Sequence, residues 1–289
     1  MRVSINAELD YFFAQPADVL LAVEAIPMDD QRLIKDKLTV RGDSSPLRSF
    51  EAHGTPGRRQ WTESRGETRI LYEAQVEVQR APLKIAGLTV PPRRALPPDV
   101  INYLFPSRYC ESDRQETYVM KKFGSKYGGD QVLMMADWIY ESFDYVPGSS
   151  DATTTATDSF LKRQGVCRDY SHVLISFARA AGIPARMVSV YAPDMEWPDF
   201  HAVVEVWLDG SWHLIDPSRL ATEESLVRIA FGRDATDISF MTIFGFAELR
   251  RQSVDVSTAK AAEADTREMS PPHEAEPAAT NTEDDEVPA

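Results

Sequence analysis

The chain has 289 residues and a net charge of −14 at pH 7, with 43% hydrophobic and 26% charged residues. This composition is typical of a soluble globular protein, and the length allows one large domain or two ordinary ones. The negative charge argues against nucleic acid or an anionic membrane as a partner. Because the sequence shows neither a bilayer-spanning apolar run nor the apolar core of a signal peptide, we expect a cytoplasmic protein.

Residues 1–80 are predicted to form an antiparallel β domain. Apolar and polar residues alternate over 3–9 and again over 68–78, and a short apolar run covers 18–27. Turns that contain glycine and proline separate these segments, which is typical of a β-sandwich-like module. His53 falls in a turn region without partner residues at metal-ligand spacing, so we expect it to be a surface histidine.

A proline-rich linker is predicted over residues 81–98, because helix interiors and central strands do not accommodate proline. The five prolines of this span are Pro82, Pro91, Pro92, Pro97 and Pro98. The second domain is predicted to cover 99–250. Helices are expected there at 99–105, 116–123 and 131–143, and the last of these carries an apolar stripe at helical spacing.

Residues 251–289 are predicted to be a disordered acidic tail. From Ser257 to the C-terminus, nine acidic residues stand against Lys260 and Arg267, which accounts for half of the net charge of −14. The segment lacks aromatic residues and cannot bury enough apolar surface to fold. We expect its role to be solubility.

Cys167 is predicted to lie at a helix N-terminus. It follows Gly165 and Val166, and apolar residues then recur at helical spacing over 173–181 until Gly182 and a proline end the pattern. Free N–H groups and the positive end of the helix dipole favour a thiolate at this position, and a thiolate is a far better nucleophile than a thiol. The alternative is a small buried hydrophobic residue.

A hairpin is predicted to bring His201 and Asp216 together. Residues 200–208 and 212–216 have the pattern of strands, and Asp209-Gly210 between them is a strong two-residue turn signal. Pairing across this turn places His201 nearly opposite Asp216. With Cys167 as nucleophile, His201 as base and Asp216 as the group that orients the imidazole, the three residue types match a Cys-His-Asp triad.

These motifs resemble the transglutaminase-like superfamily of papain-like cysteine enzymes. The segments that carry the resemblance are 165–169 (GVCRD), 180–186 (AAGIPAR), 201–207 (HAVVEVW) and 212–217 (WHLIDP). The resemblance covers about residues 100–220, and the first half is similar to the β-rich region of bacterial members. It implies an α+β fold, with the cysteine helix packed on an antiparallel sheet, and Cys167, His201 and Asp216 as catalytic residues. Val203 departs from the pattern, since many members carry an aromatic residue there.

Two further residues are candidates for the active cleft. Tyr145 lies in the segment that leads to the cysteine; it is interpreted either as a wall of the cleft or as a packing residue. A tetrahedral oxyanion needs two donors, and the backbone N–H of Cys167 supplies one. Gln164 is close in sequence and is a candidate for the second.

Several other polar residues receive structural interpretations. Cys110 is predicted to be a packing residue, and Asp169 to complement the helix dipole. His172 falls on a different helical face from the predicted nucleophile, and His213 on the opposite side of its strand from the predicted aspartate. Arg186 is expected to fix its strand through a salt bridge.

The expected activity is acyl transfer at an amide bond through a thioester, with a protein or peptide as substrate and without a cofactor. Water as acceptor gives peptide or isopeptide hydrolysis, which the resemblance favours; an amine as acceptor gives transamidation of a glutamine side chain. The alternative from another class is a catalytically silent protein-interaction module. A Cys-His-Asp metal site is a third interpretation, and a fourth ligand is missing for it. The sequence leaves the oligomeric state open.

Overall fold

The computed structural model describes residues 1–50, 57–82, 84–193 and 195–259. They form one antiparallel sheet of six strands and one of four, and the longest helices pack mainly on the smaller sheet and on one another. The predicted α+β class is confirmed. No helix in these ranges has the length and apolar character needed to cross a bilayer. His53 and residues 260–289, predicted as a surface histidine and most of the tail, lie outside the described ranges.

Strands dominate the first third of the chain and its last described residues. The described strands are, in chain order, β1 (Arg2–Glu24), β2 (Gln31–Ser44), β3 (Arg48–Phe50), β4 (Arg58–Val78), β5 (Asp144–Tyr145), β6 (Gln164–Gly165), β7 (Ala185–Tyr191), β8 (His201–Leu208), β9 (Ser211–Ile215), β10 (Val227–Gly232), β11 (Met241–Phe244) and β12 (Glu248–Ala259).

The helices lie between β4 and β11. The described helices are α1 (Pro98–Ile101), α2 (Glu116–Phe123), α3 (Gly128–Ser142), α4 (Ala156–Lys162), α5 (Cys167–Ala180) and α6 (Ala235–Ile238), with short 3-10 turns at Arg93–Ala95, Asn102–Leu104, Ser112–Arg114 and Glu223–Ser225. The predicted bounds of α2 are confirmed. Helix α3 starts three residues before its prediction, at Gly128. Gly129 in its first turn packs directly against the carbonyl of Ile85, where a Cβ would not fit.

The N-terminal β region is a single hydrogen-bonded sheet with the strand order β11-β1-β4-β2, and β12 and β3 pair beside β1 and β4. Alternate residues of β1 from Val3 to Phe13 are buried, as the sequence pattern predicts. The predicted strands at 3–9 and 18–27 belong to one continuous strand. The register with β4 shifts between Phe13 and Ala17, and this irregularity absorbs three exposed residues that interrupt the alternation.

The predicted start of the acidic tail at residue 251 is wrong. Residues 251–259 belong to β12, which pairs antiparallel with β1 from Ala259 beside Arg2 to Glu248 beside Phe12. Val254 is only 2% exposed. The acidic composition of the C-terminal end obscured a short segment in which apolar and polar residues alternate. Val254, one of its apolar residues, lies on the buried face of the sheet. The division of the chain into separate N-terminal and catalytic domains stays a prediction.

The four-stranded sheet has the order β10-β7-β8-β9, and α5 packs across β7 and β8. Val173, Leu174 and Phe177 of α5 are completely buried, which explains the apolar periodicity of this helix. The predicted linker contacts the turn between β8 and β9: the carboxylate of Asp209 accepts a hydrogen bond of 3.0 Å from the backbone N–H of Thr89.

A buried network of charges joins the two sheets. The carboxylate of Glu205 on β8 has no exposed surface and pairs with Arg186 at 2.6 Å and with Arg228 at 2.7 Å. Arg228 also pairs with Asp30 of the N-terminal region at 2.9 Å, and Asp30 pairs with Arg80 at 2.7 Å. The expected salt bridge of Arg186 is therefore confirmed. Because each charge has a partner, removal of one leaves others buried and unpaired.

We expect Glu205→Gln to lower the free energy of unfolding by about 3 kcal/mol, since the buried guanidinium of Arg186 loses its counter-charge and that of Arg228 keeps only Asp30. Urea unfolding of the two proteins measures the difference. Glu77→Gln is the matched control, because it breaks the pair of Glu77 with Arg32, whose side chain is 68% exposed, and it should have a far smaller effect. Equal losses in the two variants would contradict a stabilising role of the network.

Ending the chain after residue 250 removes residues 251–259 of β12, and β1 then lacks its second neighbour from Arg2 to Asp10. We expect the melting temperature of this variant to fall by at least about 10 °C, measured by circular dichroism. A chain that ends after residue 259 keeps all the described strands and serves as control; we expect it to melt like the full chain. The same melting temperature for both truncated chains would show that β12 adds no stability.

Candidate active site

Helix α5 begins at Cys167 because local hydrogen bonds end the extended segment before it. Val166 has an extended backbone, and its N–H donates to the carboxylate of Asp169 at 2.9 Å. Gly165 is required next to this carboxylate, because a Cβ there would lie 2.5 Å from the Cβ of Asp169. The thiol of Cys167 is therefore held at the first helical position, partly exposed to solvent.

Asp169 does more than complement the helix dipole. Its side chain is completely buried and accepts hydrogen bonds from the hydroxyl of Ser150 at 2.5 Å and from the guanidinium of Arg168 at 3.2 Å. Arg168 also donates to the carbonyl of Asp151 at 2.8 Å. The loop before α4 is thus tied to the two residues that follow Cys167. The sequence predicted the placement of Asp169 in the first turn but not this network.

The β8–β9 hairpin has the predicted turn and register. Asp209 and Gly210 have φ angles of 47° and 81°, as a two-residue turn of this type requires, and Val204 pairs with Ile215. In this register His201 and Asp216 are diagonal neighbours. Nε2 of His201 lies 2.9 Å from Oδ2 of Asp216, and neither side chain has exposed surface.

The backbone after β9 wraps around the carboxylate of Asp216. Its Oδ1 accepts from the N–H and the hydroxyl of Ser218 at 2.9 and 2.6 Å, and its Oδ2 accepts from the N–H groups of Leu220 and Ala221, both at 3.1 Å. Burial alone would raise the pKa of Asp216, but the hydrogen bonds from His201 and Ser218 lower it. The carboxylate is therefore ionised, and Nε2 of His201 carries the hydrogen that it accepts.

The cysteine lies beside this pair. The hydroxyl of Ser171, one turn along α5 from Cys167, donates to the carbonyl of Ala202 at 3.0 Å and fixes the helix against β8. Burial would lower the pKa of His201, but Asp216 and the neighbouring thiol of Cys167 raise it to about 10. The buried Nδ1 of His201 has no fully formed hydrogen bond within the described residues. A long contact of this kind is common in substrate-free active sites.

Tyr145 lies against Cys167. It belongs to β5, which pairs in parallel with β6 immediately before the helix, so that Tyr145 is beside Gly165. Burial raises the pKa of Tyr145, the charge of Cys167 raises it further, and a hydrogen bond from the backbone N–H of Cys167 acts in the opposite direction. Gln164 is half-buried next to this tyrosine, and within the described part of the chain we find no hydrogen bond of its side chain.

Three residues that were interpreted as structural have surroundings that agree with this interpretation. Cys110 is completely buried, and burial raises its pKa to about 12. His172 stacks on Tyr109 with ring centroids 5.1 Å apart, and burial lowers its pKa to about 4. His213 lies 3.0 Å from the hydroxyl of Ser211. Among the described residues, no group of three or more potential ligand side chains is arranged to hold a metal ion.

Sequence reasoning missed one acidic residue at the site. Asp199 lies two residues before His201, and its carboxylate accepts a hydrogen bond of 2.5 Å from Gln252 of β12. The proximity of Asp199 to His201 in sequence was the available signal. No sequence signal indicated the contact with Gln252, because this contact joins segments that are distant in the chain.

Comparisons with known proteins agree on one family. The model of the transglutaminase-like superfamily matches residues 116–217. A solved structure described as "a Putative Cysteine Protease from Cytophaga hutchinsonii" is 33% identical, covers 89% of this chain and 90% of its own, and superposes with a TM-score of 0.83.

Curated relatives match over a shorter part. An uncharacterized protein of Mycobacterium leprae is 26% identical over 146 residues, which are 47% of this chain and 52% of that protein. An uncharacterized protein of Mycobacterium tuberculosis H37Rv is 27% identical over 162 residues, 50% of this chain and 52% of its own. The chain thus spans about half the length of the curated relatives it matches.

The raised pKa of His201 has a measurable consequence. The folded chain keeps this proton as the pH rises past the ordinary value of 6.5 and loses it near 10, so its contribution to stability is complete below 6.5 and is lost towards 10. We expect nitrogen-15 NMR of the imidazole to give a titration midpoint well above 6.5, and Asp216→Asn to lower it. Asp209→Asn, in the turn of the same hairpin, should leave it unchanged. A wild-type midpoint at 6.5 would contradict the charged pair.

Proposed function

The chain belongs to the transglutaminase-like superfamily, and from that premise we propose that it catalyses cysteine-dependent acyl transfer at amide bonds of peptide or protein substrates. The observation that carries the proposal is the buried pair of His201 and Asp216, 2.9 Å apart, beside a partly exposed thiol at the start of a helix. A charged imidazole next to a thiol stabilises the thiolate, which is the nucleophilic form.

In the first step, the sulfur of Cys167 attacks the amide carbonyl and a carbon–sulfur bond forms. Nε2–H of His201 is engaged by Asp216, which leaves Nδ1 as the ring nitrogen that gives its proton to the departing amine. The carbon–nitrogen bond breaks, and a thioester of Cys167 remains. Asp216 stays ionised throughout and keeps the imidazole oriented.

In the second step, His201 takes a proton from the acceptor as it attacks the thioester, and the thiolate leaves. Water gives a carboxylic acid, whereas a primary amine gives a new amide. We propose hydrolysis of a peptide or isopeptide bond as the main reaction, in line with the description of the Cytophaga hutchinsonii relative. Transamidation uses the same residues and differs only in the acceptor.

The oxyanion of the tetrahedral intermediate needs donors that are already in place. The backbone N–H of Cys167 is one, because it lies at a helix start without an intrahelical partner. The hydroxyl of Tyr145 lies near this N–H, which acts to lower the pKa of the tyrosine. We propose that the tyrosine lines the cleft at this point, with the side chain of Gln164 as the candidate second donor.

We expect iodoacetamide to modify Cys167 at pH 6.5 at least about tenfold faster in the wild type than in His201→Ala, because the imidazolium no longer stabilises the thiolate in the variant. Mass spectrometry identifies the modified residue. Cys167→Ala is the control and should remain unmodified, since Cys110 has no exposed surface.

The reaction itself is tested with peptide and isopeptide amides. Hydroxylamine should trap the thioester as a hydroxamate, and the ratio of acid to amide product separates hydrolysis from transamidation. Equal alkylation rates in wild type and His201→Ala, together with no trapped product, would contradict the proposal and favour a catalytically silent interaction module.

A further inference from the structure

Asp199 is an acidic residue at the candidate site that the proposed reaction leaves without a role. It is exposed and lies in the loop that leads directly into His201. Its Oδ1 accepts two hydrogen bonds, from the backbone N–H of Phe200 at 2.7 Å and from the side chain of Gln252 at 2.5 Å. Its Oδ2 accepts none from the described residues. One carboxylate oxygen is thus held by hydrogen bonds, and the other is available to bind a ligand.

The position of this carboxylate is fixed from two sides. Phe200 stacks on Phe240 with ring centroids 4.3 Å apart and an interplanar angle of 5°, and it also contacts Tyr191. Gln252 belongs to β12, which is paired with β1. An exposed aspartate on a loop normally moves freely, whereas Asp199 is anchored to both sheets of the protein.

The charge of Asp199 acts on the site. Asp199 is exposed as a residue, but the protein that surrounds its carboxylate partly desolvates it and raises its pKa, and the charge of His201 opposes this. The charge of Asp199 in turn contributes to the raised pKa of Tyr145, so it acts on residues on both sides of Cys167. No arginine or lysine pairs with it among the described residues, and Arg168, near the nucleophile, is engaged by Asp169 and Asp151.

We infer that Asp199 binds a positively charged group, an ammonium or guanidinium, of the substrate next to the amide that Cys167 attacks. The free Oδ2 supplies the acceptor, and the fixed Oδ1 pre-organises it. The inference rests on the proposed function and specifies its substrate class: amides whose neighbouring residue is a lysine, an arginine or a free amino terminus. If Asp199 served only as a tie between the loop and β12, its replacement would change the preference for a cationic reagent no more than the loss of another carboxylate from the same loop.

The charge of a thiol reagent tests this without knowledge of the natural substrate. We compare the rates at which Cys167 is modified by cationic trimethylammonioethyl methanethiosulfonate and by anionic sulfonatoethyl methanethiosulfonate. The ratio of the two rates removes changes in thiol reactivity that both reagents share. We expect Asp199→Asn to lower the cation-to-anion ratio about fivefold or more at low ionic strength, and high salt to reduce the difference.

Glu196→Gln is the matched control, because Glu196 is an exposed carboxylate of the same loop. It removes the same charge from the chain, and we expect it to change the ratio less than about twofold. Gln252→Ala keeps the charge of Asp199 but releases its anchor, and we expect an intermediate decrease in the ratio.

The outcomes separate this inference from the proposed function. If Cys167 reacts rapidly in all variants and Asp199→Asn leaves the ratio as in Glu196→Gln, cation binding by Asp199 is overturned while the cysteine chemistry stands. If Cys167 of the wild type reacts with both reagents no faster than in His201→Ala, the proposed function fails and the inference fails with it. A decrease in the cation-to-anion ratio that occurs in Asp199→Asn but not in Glu196→Gln supports both the inference and the proposed function.

Discussion

Two oppositely charged side chains without exposed surface, such as His201 and Asp216, are stable only where hydrogen bonds replace the water that they have lost. The segment from Ser218 to Ala221 provides this replacement through backbone N–H groups and a hydroxyl. The loop after β9 is therefore shaped by the carboxylate. The same constraint acts on Asp169, whose burial next to Cys167 is compensated by Ser150, Arg168 and a backbone N–H.

The N-terminal sheet supports the candidate site rather than being a separate attachment. It contacts the part of the chain that carries the candidate site through the ion pair of Asp30 with Arg228 and through the hydrogen bond of Gln252 with Asp199. The first contact joins the N-terminal region to the buried carboxylate of Glu205 on β8 through Arg228. The second contact, from Gln252, is made to Asp199, which lies two residues before His201. Changes in the β region can therefore alter the cleft through the loop that leads into β8.

The parts of the site predicted from sequence are those fixed by local rules. The start of α5 at Cys167 follows from a helix signal, and the placement of His201 near Asp216 follows from a turn of two residues. The network around Asp169 and the contact of Gln252 with Asp199 depend on pairing between distant segments, which a single sequence does not encode in any local pattern. The strand β12 was missed because composition outweighed a short alternation.

The pairing of β1 with both β4 and β12 has a consequence for synthesis on the ribosome. Strand β4 follows β1 within the first 78 residues, but β12 begins only at Glu248. One edge of β1 therefore stays without the partner β12 until residues 248–259 have been made, and unpaired edges invite association with other chains. The long-range contacts of this sheet should make its completion a slow stage of folding.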